Sequence, residues 1–255
     1  MLINNIDPTI FSFGPITIRW YGLFLATGVA LSIWILTKLA KKNNLSINSI
    51  LDLCVWLTIG GLIGARLGYI IFYQLNYYLT NPTEIFFINH GGLSSHGLTL
   101  GLIISFLLFV KVKNKIPLFP PLQRGRLKKS SLSSSPLNKE GSGEILDWKK
   151  IIDILIIPIP LLAAFIRLGN FFNSEIVGRA TDLPWGVYFP RFEDNPILRH
   201  PVQLYEVVIN LSLFFILYFF SKKLANRAPK LFFFHLFLVL YFTSRFLIEF
   251  TKEYQ

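Results

Sequence analysis

The sequence predicts an all-α protein, a polytopic transmembrane helical bundle of about six spans with its N-terminus outside. Two observations support this fold class. The 255-residue chain is 53% hydrophobic and only 15% charged, whereas about a quarter of the residues in soluble domains are charged. It also contains six apolar runs, each close to the roughly 20 residues that a helix needs to cross a bilayer. These runs lie near 16–37, 51–73, 96–112, 151–172, 202–221 and 231–250.

We expect the whole chain, 1–255, to be a single integral membrane domain. A transmembrane β-barrel would show short segments of alternating polarity instead of these long apolar runs. The first fifteen residues contain neither Lys nor Arg. They therefore lack the basic start of a cleavable signal peptide, and the first helix is expected to be retained.

The basic residues predict how the bundle is oriented. The loops after the first, third and fifth runs hold 17 of the 25 Lys and Arg residues. Because Lys and Arg accumulate in cytoplasmic loops, these three loops are expected in the cytoplasm and the N-terminus outside. The net charge of +11 is then mainly a topology signal, and no nucleic-acid partner is predicted.

Two connecting segments have distinct compositions. The segment at about 117–143 is rich in Pro, Ser, Gly and Lys, which predicts a disordered cytoplasmic insertion because such a composition cannot form a core. The segment at about 173–200 is expected to be a small extracytoplasmic segment. Neither contains the Cys-rich pattern of a metal site, and Cys54 is the only cysteine in the chain. We predict no metal and no cofactor.

The second run combines packing residues with a charge. Gly60, Gly64 and Gly68 follow one another at four-residue spacing, which favours a smooth face for close helix packing. Arg66 lies in the same run, so it needs a partner or a watery cavity.

The fourth run ends in an unusual polar cluster. Within nine positions it places Arg167, Asn170, Asn173 and Glu175. A charged side chain in hydrocarbon costs at least ~3 kcal/mol on insertion scales, so such residues are functional candidates. Arg167 and Asn170 share a helix face at i, i+3. A single Arg could simply snorkel to the headgroups, but the group together indicates a polar site.

With the predicted topology, the polar residues of five runs fall at the outer face of the membrane. Tyr241, Arg245 and Glu249 form one stripe at four-residue spacing, and Arg245 could pair with Glu249 as part of the site or as a structural ion pair. The residues at the other helix ends are Arg19, Trp20, Tyr21, Ser94, Ser95, His96, Arg167, Asn170, Asn173, Glu175, Arg199, His200, Gln203, Tyr205 and Glu206.

These residue types suit chemistry on a phospholipid. Arginines with Asn and Tyr donors can bind a phosphate and stabilise its charge as it leaves. His96 lies at a helix start in a Gly-rich segment and could act as a general base, although a lone His on an apolar helix is more often structural. The sequence therefore predicts a membrane enzyme that uses phospholipid at the outer leaflet.

Several motifs resemble those of bacterial prolipoprotein diacylglyceryl transferases. RLGNFFNSE at 167–175, followed by Gly178, resembles the signature of that family. Further similar motifs occur in the family's order over nearly the whole chain. They are RWYG at 19–22, GARLGY at 64–69, GGLSSHG at 91–97, RHPVQLYE at 199–206 and YFTSRFLIEF at 241–250.

The resemblance implies a reaction and its partners. Such enzymes transfer the diacylglyceryl group of phosphatidylglycerol to the thiol of a lipobox cysteine in a prolipoprotein signal peptide, within the bacterial plasma (inner) membrane. A thioether forms and glycerol phosphate leaves. The membrane lipid is thus a substrate as well as the surroundings, and the active site is expected toward the extracytoplasmic face.

The resemblance also implies functional residues. His96 is expected to be the base for the thiol, and Arg167 and Arg245 to hold the phosphate. Asn170 and Tyr21 are expected to bind the headgroup, while Glu175 and Glu249 orient the basic groups. The catalytic set implied is Tyr21, His96, Arg167, Arg245 and Glu249. The set implied for phosphatidylglycerol binding is Arg167, Asn170, Glu175, Gly178, Tyr241 and Arg245.

The resemblance further implies a hydrophobic span after Glu249, whereas this sequence ends at Gln255. We expect a shortened member, a truncated reading frame or a dispensable helix. Two other function classes stay open: an outward-facing lipid or anion transporter, and a membrane-integral phospholipid phosphatase. A transporter favours internal repeats and sites near mid-membrane, and a phosphatase needs a second histidine, for which only His200 is available.

Overall fold

The computed structural model describes residues 2–14, 16–87, 91–115, 146–224 and 227–253. Within these ranges the chain forms eight α-helices, one 3-10 helix and five short strands. The helices are α1 (Trp20–Lys42), α2 (Ile47–Tyr73), α3 (Leu75–Thr80), α4 (Ser95–Lys115), α5 (Trp148–Leu155), α6 (Ile159–Phe172), α7 (Val202–Leu224) and α8 (Phe232–Glu249), with the 3-10 helix at Pro82–Phe86. The strands are β1 (Leu2–Ile3), β2 (Thr9–Phe13), β3 (Ile16–Arg19), β4 (Val187–Tyr188) and β5 (Leu198–Arg199).

Six helical segments are long and apolar enough to cross a membrane, which confirms the predicted bundle. They are Trp20–Lys42, Ile47–Tyr73, Ser95–Asn114, Trp148–Phe172, Val202–Leu224 and Phe232–Glu249. The predicted insertion at 117–143 lies outside the described residues. The orientation of the N-terminus stays a prediction.

Two predicted spans differ in detail from the structure. The first helix begins at Trp20 rather than near residue 16, because Ile16–Arg19 pair with β2 as strand β3. The fourth span is interrupted at 156–158 and consists of α5 and α6. Pro158 explains this break, since its ring leaves no backbone N–H to donate to the preceding turn.

The chain divides into two compact units, 1–47 with 149–255, and 48–148. The expectation of a single domain over 1–255 stays a prediction.

In the first unit, α6 packs against α1 and α7, and α7 packs against α8. The α1–α6 approach depends on small residues: a Cβ atom at Gly169 would lie 2.8 Å from the Tyr21 ring, and one at Gly28 would lie 2.8 Å from Phe165 Cβ. Buried Asp153 on α5 accepts backbone N–H groups from Leu231 and Phe234 at 2.6 and 3.0 Å, which satisfies the start of α8.

A small sheet joins distant parts of the first unit. Strand β1 pairs in parallel with β4, and β4 pairs antiparallel with β5. Val177, Val187 and Phe189 form a buried apolar cluster beside it. The segment after α8 joins the same region, because Arg179 N donates to Thr251 O and Gly178 forms a bridge with Lys252. The strands were not predicted.

In the second unit, α2 and α4 meet along their glycines. A Cβ atom at Gly64 would lie 2.5 Å from the carbonyl oxygen of Gly97 and 2.6 Å from Gly101 Cα. The glycines of α2 therefore permit backbone contact, as their spacing predicted.

Buried Arg66 has the partners that its position required. Its guanidinium donates to the backbone carbonyls of five residues in the segment before α4, and two of these bonds, to Gly91 and Glu84, measure 2.5 and 2.6 Å. The remaining acceptors are Ile85, Phe87 and Gly92. Arg66 thus connects α2 to the 3-10 helix, to Phe87 and to residues 91–92.

Candidate active site

The carboxylate of Glu206 lies at the centre of a charged cluster in the first unit. Glu206 is in the first turns of α7, and its side chain is only 7% exposed. It pairs with Arg167 from α6, with Arg245 from α8 and with Lys252 from the segment after α8. Because buried carboxylates are strongly destabilising unless they are paired, these cations explain how Glu206 can be buried.

Arg167 connects this carboxylate to the polar end of α6. Its Nε pairs with Glu206 Oε2, and its Nη1 donates to Asn170 Oδ1 at 3.2 Å. Asn170 is buried and donates from Nδ2 to Glu175 Oε2 at 3.0 Å. The prediction that Arg167 and Asn170 share a face is confirmed, and Glu175 is linked to Arg167 through Asn170.

The backbone around Glu175 is strained. Ser174 and Ile176 on either side have φ angles of 55° and 57°, which are uncommon for residues other than glycine and especially so for a β-branched one. The turn is held by Glu175 N donating to Asn170 O at 2.9 Å and by Gln203 Nε2 donating to Glu175 O at 2.6 Å. Asn173 Nδ2 donates to Glu175 Oε1 at 3.2 Å. The turn thereby directs the Glu175 carboxylate back toward α6.

Arg245 pairs with Glu249, as the spacing allowed, and also with Glu206. Its Nη1 donates to Glu206 Oε1 at 2.7 Å, whereas its Nη2 is 3.6 Å from Glu249 Oε2. The predicted i, i+4 pair with Glu249 is present but longer, and Glu249 is 43% exposed. The Arg245–Glu206 pair is the shorter and more buried one, so Glu206 rather than Glu249 anchors Arg245.

A small pocket opens beside this cluster. Its interior volume is about 50 Å³. The lining residues come from α6, α7 and α8, and they are Ala163, Arg167, Glu206, Ile209, Asn210, Tyr241, Ser244, Arg245 and Ile248. Two guanidinium groups beside an apolar wall suit an anionic headgroup carried on an apolar chain.

The structure brings together some of the predicted residues and leaves others apart. Arg167, Tyr241 and Arg245 line the pocket. Asn170 accepts a hydrogen bond from Arg167 and donates one to Glu175. Tyr21 packs against Gly169. Gly178 N donates to His200 O at 3.0 Å, and a Cβ atom there would lie 2.5 Å from Val202, so Gly178 serves a close backbone contact.

His96 lies in the second unit, in the first turn of α4. Its side chain is exposed. It follows Ser94, whose backbone N–H donates to Ala65 O at 2.9 Å, so the helix start that carries His96 is held against α2. Its role as a base stays a prediction.

The segment between α6 and α7 has its own ion pairs. Arg199 is buried, donates to both carboxylate oxygens of Glu193 at 2.9 and 2.8 Å, and also pairs with Glu253. The Arg199 guanidinium lowers the pKa of Glu193 to about 2. Burial, with a smaller contribution from Arg179, lowers the pKa of His200, whose Nδ1 lies 3.2 Å from Tyr205 Oη. These pairs stabilise the segment and do not line the pocket.

Sequence reasoning missed two members of the cluster as site residues, Glu206 and Lys252. The signal for Glu206 was present: it lies in an apolar helix with no basic residue within one turn on either side. No comparable signal existed for Lys252, because it follows the last span and looks like an ordinary flanking lysine. Among the described residues, no group of three or more His, Cys, Asp or Glu is placed to hold a metal ion.

The fold and the pocket together define a multi-pass membrane protein with a pocket lined by two arginines. The family model of prolipoprotein diacylglyceryl transferase matches residues 8–123 and 141–255. A phosphatidylglycerol–prolipoprotein diacylglyceryl transferase of Tolumonas auensis is 36% identical over 255 residues, covering 100% of this chain and 86% of that protein. One of the same name from Chloroherpeton thalassium is 35% identical over 251 residues, covering 98% of this chain and 82% of that protein.

The chain belongs to the prolipoprotein diacylglyceryl transferase family. It is therefore a membrane enzyme of the transferase class, with a part in lipoprotein biosynthesis. The transporter and the phosphatase are not favoured by these matches. The resemblance of the sequence motifs is thus confirmed at the level of the whole chain.

Proposed function

We propose that this enzyme transfers the diacylglyceryl group of phosphatidylglycerol to the thiol of the lipobox cysteine in a prolipoprotein signal peptide. The reaction class follows from the family, and the relatives' names give phosphatidylglycerol and prolipoprotein as their substrates. The observation that carries the proposal for this chain is the meeting of Arg167 and Arg245 beside one pocket.

The two arginines suit the phosphate of the lipid headgroup. Guanidinium groups donate to phosphate oxygens in a fixed planar arrangement. Arg167 and Arg245 come from different helices and are partly exposed, at 26% and 38%. They are thus able to reach a headgroup beside the pocket. Tyr241 also lines the pocket. Asn170 binds the Arg167 guanidinium and is itself bonded to Glu175.

The chemical step is a substitution at the glyceryl carbon. The cysteine thiolate attacks that carbon, the sulfur–carbon bond forms, and the carbon–oxygen bond to phosphate breaks. Glycerol phosphate then leaves with the electron pair. The thiol proton must pass to a base, because the thiolate rather than the thiol is the nucleophile. Arg167 and Arg245 would stabilise the negative charge on the departing phosphate.

We assign the role of the base to His96, binding of the headgroup to Tyr21 and orientation of Arg245 to Glu249. The assignment of His96 rests on its residue type and on its place at a Gly-rich helix start. Glu249 is 3.6 Å from Arg245, which supports the orienting role. Gly178 is assigned a supporting role, since it allows the close approach of the backbone at His200.

We place the enzyme in the bacterial inner membrane with its site toward the extracytoplasmic face. The basic residues of the loops after the first, third and fifth spans support this orientation. Reporter fusions at the ends of the spans would test it, and a cytoplasmic N-terminus would contradict it.

A transfer assay tests the proposed reaction. Membranes containing the enzyme are incubated with phosphatidylglycerol and a lipobox peptide, and mass spectrometry measures the thioether adduct. Arg245→Ala is expected to reduce turnover by about 100- to 1,000-fold, as loss of a group that stabilises transition-state charge does. The matched control is Arg227→Ala, since Arg227 is exposed and lies after the end of α7 that is distant from Glu206. Absence of the adduct with the unaltered enzyme would refute the function.

The same assay tests the base separately. His96→Gln is expected to lower turnover by about 100-fold or more, which is the usual contribution of a positioned base. Raising the pH should partly restore activity in this variant, because the peptide thiol then ionises without a base. Full activity of His96→Gln at neutral pH would remove His96 from the mechanism.

A further inference from the structure

Lys252 contacts the same carboxylate oxygen as Arg245, but from a different position. Its Nζ lies 2.7 Å from Glu206 Oε1, and Arg245 Nη1 also lies 2.7 Å from that atom. The Lys252 side chain is only 10% exposed, compared with 38% for Arg245. Arg167 and Arg245 line the pocket, whereas Lys252 does not.

The backbone fixes Lys252 in this position. Its N–H donates to Glu249 O at 3.1 Å, and the residue forms an antiparallel bridge with Gly178. Next to it, Thr251 O accepts the N–H of Arg179 at 3.1 Å. The backbone of Lys252 is thus held by both α8 and the segment after α6. Its side chain is only 10% exposed, so the ammonium group has little access to solvent beside Glu206.

The cluster has an excess of positive charge that an anion could use. Arg167, Arg245 and Lys252 surround one buried carboxylate. An anion in the pocket would compete with Glu206 for the N–H groups of the two arginines. If both arginines turned to the anion and Glu206 had no other partner, a buried carboxylate would be left unpaired, which is strongly unfavourable.

We propose that Lys252 is a positioning residue, the fixed counterion of Glu206 that allows Arg167 and Arg245 to engage the phosphate of the substrate. This inference rests on the proposed function for the identity of the anion. Lys252 keeps Glu206 paired while the arginines change partner, so the arginines bind phosphate without leaving a buried charge unpaired.

The test uses the full-length enzyme and compares Lys252→Met with Lys252→Arg. Lys252→Met preserves the length of the side chain but removes its charge. It is expected to raise KM for phosphatidylglycerol about tenfold, which is the effect of losing one charge-assisted interaction. The change in kcat is expected to be smaller. Lys252→Arg keeps the charge and is expected to restore KM to within about twofold. Lys223→Met, an exposed lysine in the last turn of α7, is the matched control.

A second comparison asks whether Lys252 acts through Glu206. In a Glu206→Gln background there is no carboxylate to neutralise, so adding Lys252→Met should leave KM unchanged. An equal rise in KM in both backgrounds would overturn the inference, as would an unchanged KM in Lys252→Met alone. Equal impairment by Lys252→Met and Lys252→Arg would also overturn it, because a purely steric role does not depend on charge.

Binding of glycerol phosphate to the purified enzyme separates this inference from the proposed function. Calorimetry is expected to show about tenfold weaker binding to Lys252→Met than to the unaltered enzyme. If that difference appears but no thioether adduct forms, the role of Lys252 stands and the proposed reaction fails. If the adduct forms and Lys252→Met matches the unaltered enzyme in KM and in binding, the reaction stands and the role of Lys252 fails.

Discussion

The substitution Glu206→Gln tests whether the buried carboxylate holds α6, α7 and α8 together. Glutamine keeps the shape of the side chain and one acceptor oxygen but removes the negative charge. Arg167, Arg245 and Lys252 would then lose the carboxylate that they share, although Arg245 would keep another one nearby, Glu249 at 3.6 Å. Solvent screens the four charges unequally. The exposed fraction of the side chain is 7% for Glu206, 10% for Lys252, 26% for Arg167 and 38% for Arg245.

The expected magnitude follows from these exposures. Removing one partner of a fully buried ion pair costs about 3–5 kcal/mol. Arg245 is more than a third exposed, so its pair with Glu206 contributes little, as solvent-screened pairs do. Most of the cost therefore comes from losing the more buried pairs with Lys252 and Arg167. The amide oxygen of the glutamine side chain still accepts one hydrogen bond, which reduces this cost. We therefore expect a loss of about 2–3 kcal/mol in the free energy of unfolding.

The assay is thermal unfolding of the purified enzyme in detergent micelles at one scan rate. A loss of this size should lower the apparent unfolding temperature by about 4–12 °C for a chain of this length. The matched control is Glu249→Gln, which removes a carboxylate that is 43% exposed and 3.6 Å from Arg245. It should cost less than about 0.5 kcal/mol. Equal shifts in the two variants would refute the central place of Glu206.

Three further changes have expected outcomes. Arg66→Met should destabilise the second unit by about 2 kcal/mol, measured by thermal unfolding, because five backbone carbonyl groups lose the charged donor that they share. Lys128→Met in the cytoplasmic insertion predicted from the sequence should not. Gly64→Ala should lower the unfolding temperature through a clash of about 1–3 kcal/mol with the backbone of α4, and an unchanged temperature would contradict the close helix contact. Glu193→Gln should lower the free energy of unfolding at pH 7. This loss should shrink as the pH falls from about 4.5 toward 2, because Glu193, whose pKa is depressed, stabilises the fold only while it is ionised. A loss that does not depend on pH over this range would contradict the pairing with Arg199.

The helices could be predicted from the sequence because a membrane span is a local property. An apolar run of sufficient length must form its backbone hydrogen bonds internally, so each run specifies a helix without reference to the rest of the chain. The break at Pro158 was also visible in principle, since it follows from one residue type. The strands were not, because β1 pairs with a segment about 185 positions away, Leu2 with Val187.

In the site, too, some contacts follow from the local sequence and others depend on distant residues. The contact of Arg167 with Asn170 follows from helical spacing alone. The turn at Glu175 does not, because Ser174 and Ile176 adopt left-handed backbone angles that their residue types disfavour. Such strain persists only where surrounding bonds determine the conformation, and here those bonds come from Asn170 and from Gln203 on another helix.

Arg245 shows why a local rule found only one of its two carboxylate partners. Glu249 is one turn away on the same helix, and that spacing alone satisfies the rule for an ion pair. Glu206 is 39 positions earlier in the chain, yet its carboxylate is closer to the guanidinium and more buried. A lower exposure strengthens an electrostatic interaction by reducing solvent screening. The more distant residue in sequence therefore makes the stronger contact.

The order of the spans narrows the set of partners that Glu206 can have. Successive spans cross the membrane in opposite directions, so the end of α6, the start of α7 and the end of α8 lie at one level. Arg167, Glu206 and Arg245 occupy those three positions, and Glu206 has no basic residue within one turn of its own helix. A carboxylate in an apolar helix that cannot be paired locally must be paired from neighbouring helices. Arg167 and Arg245 were two of the cations available at its level, and the rotation of each helix about its axis, which packing determines, decided which of them pair with it.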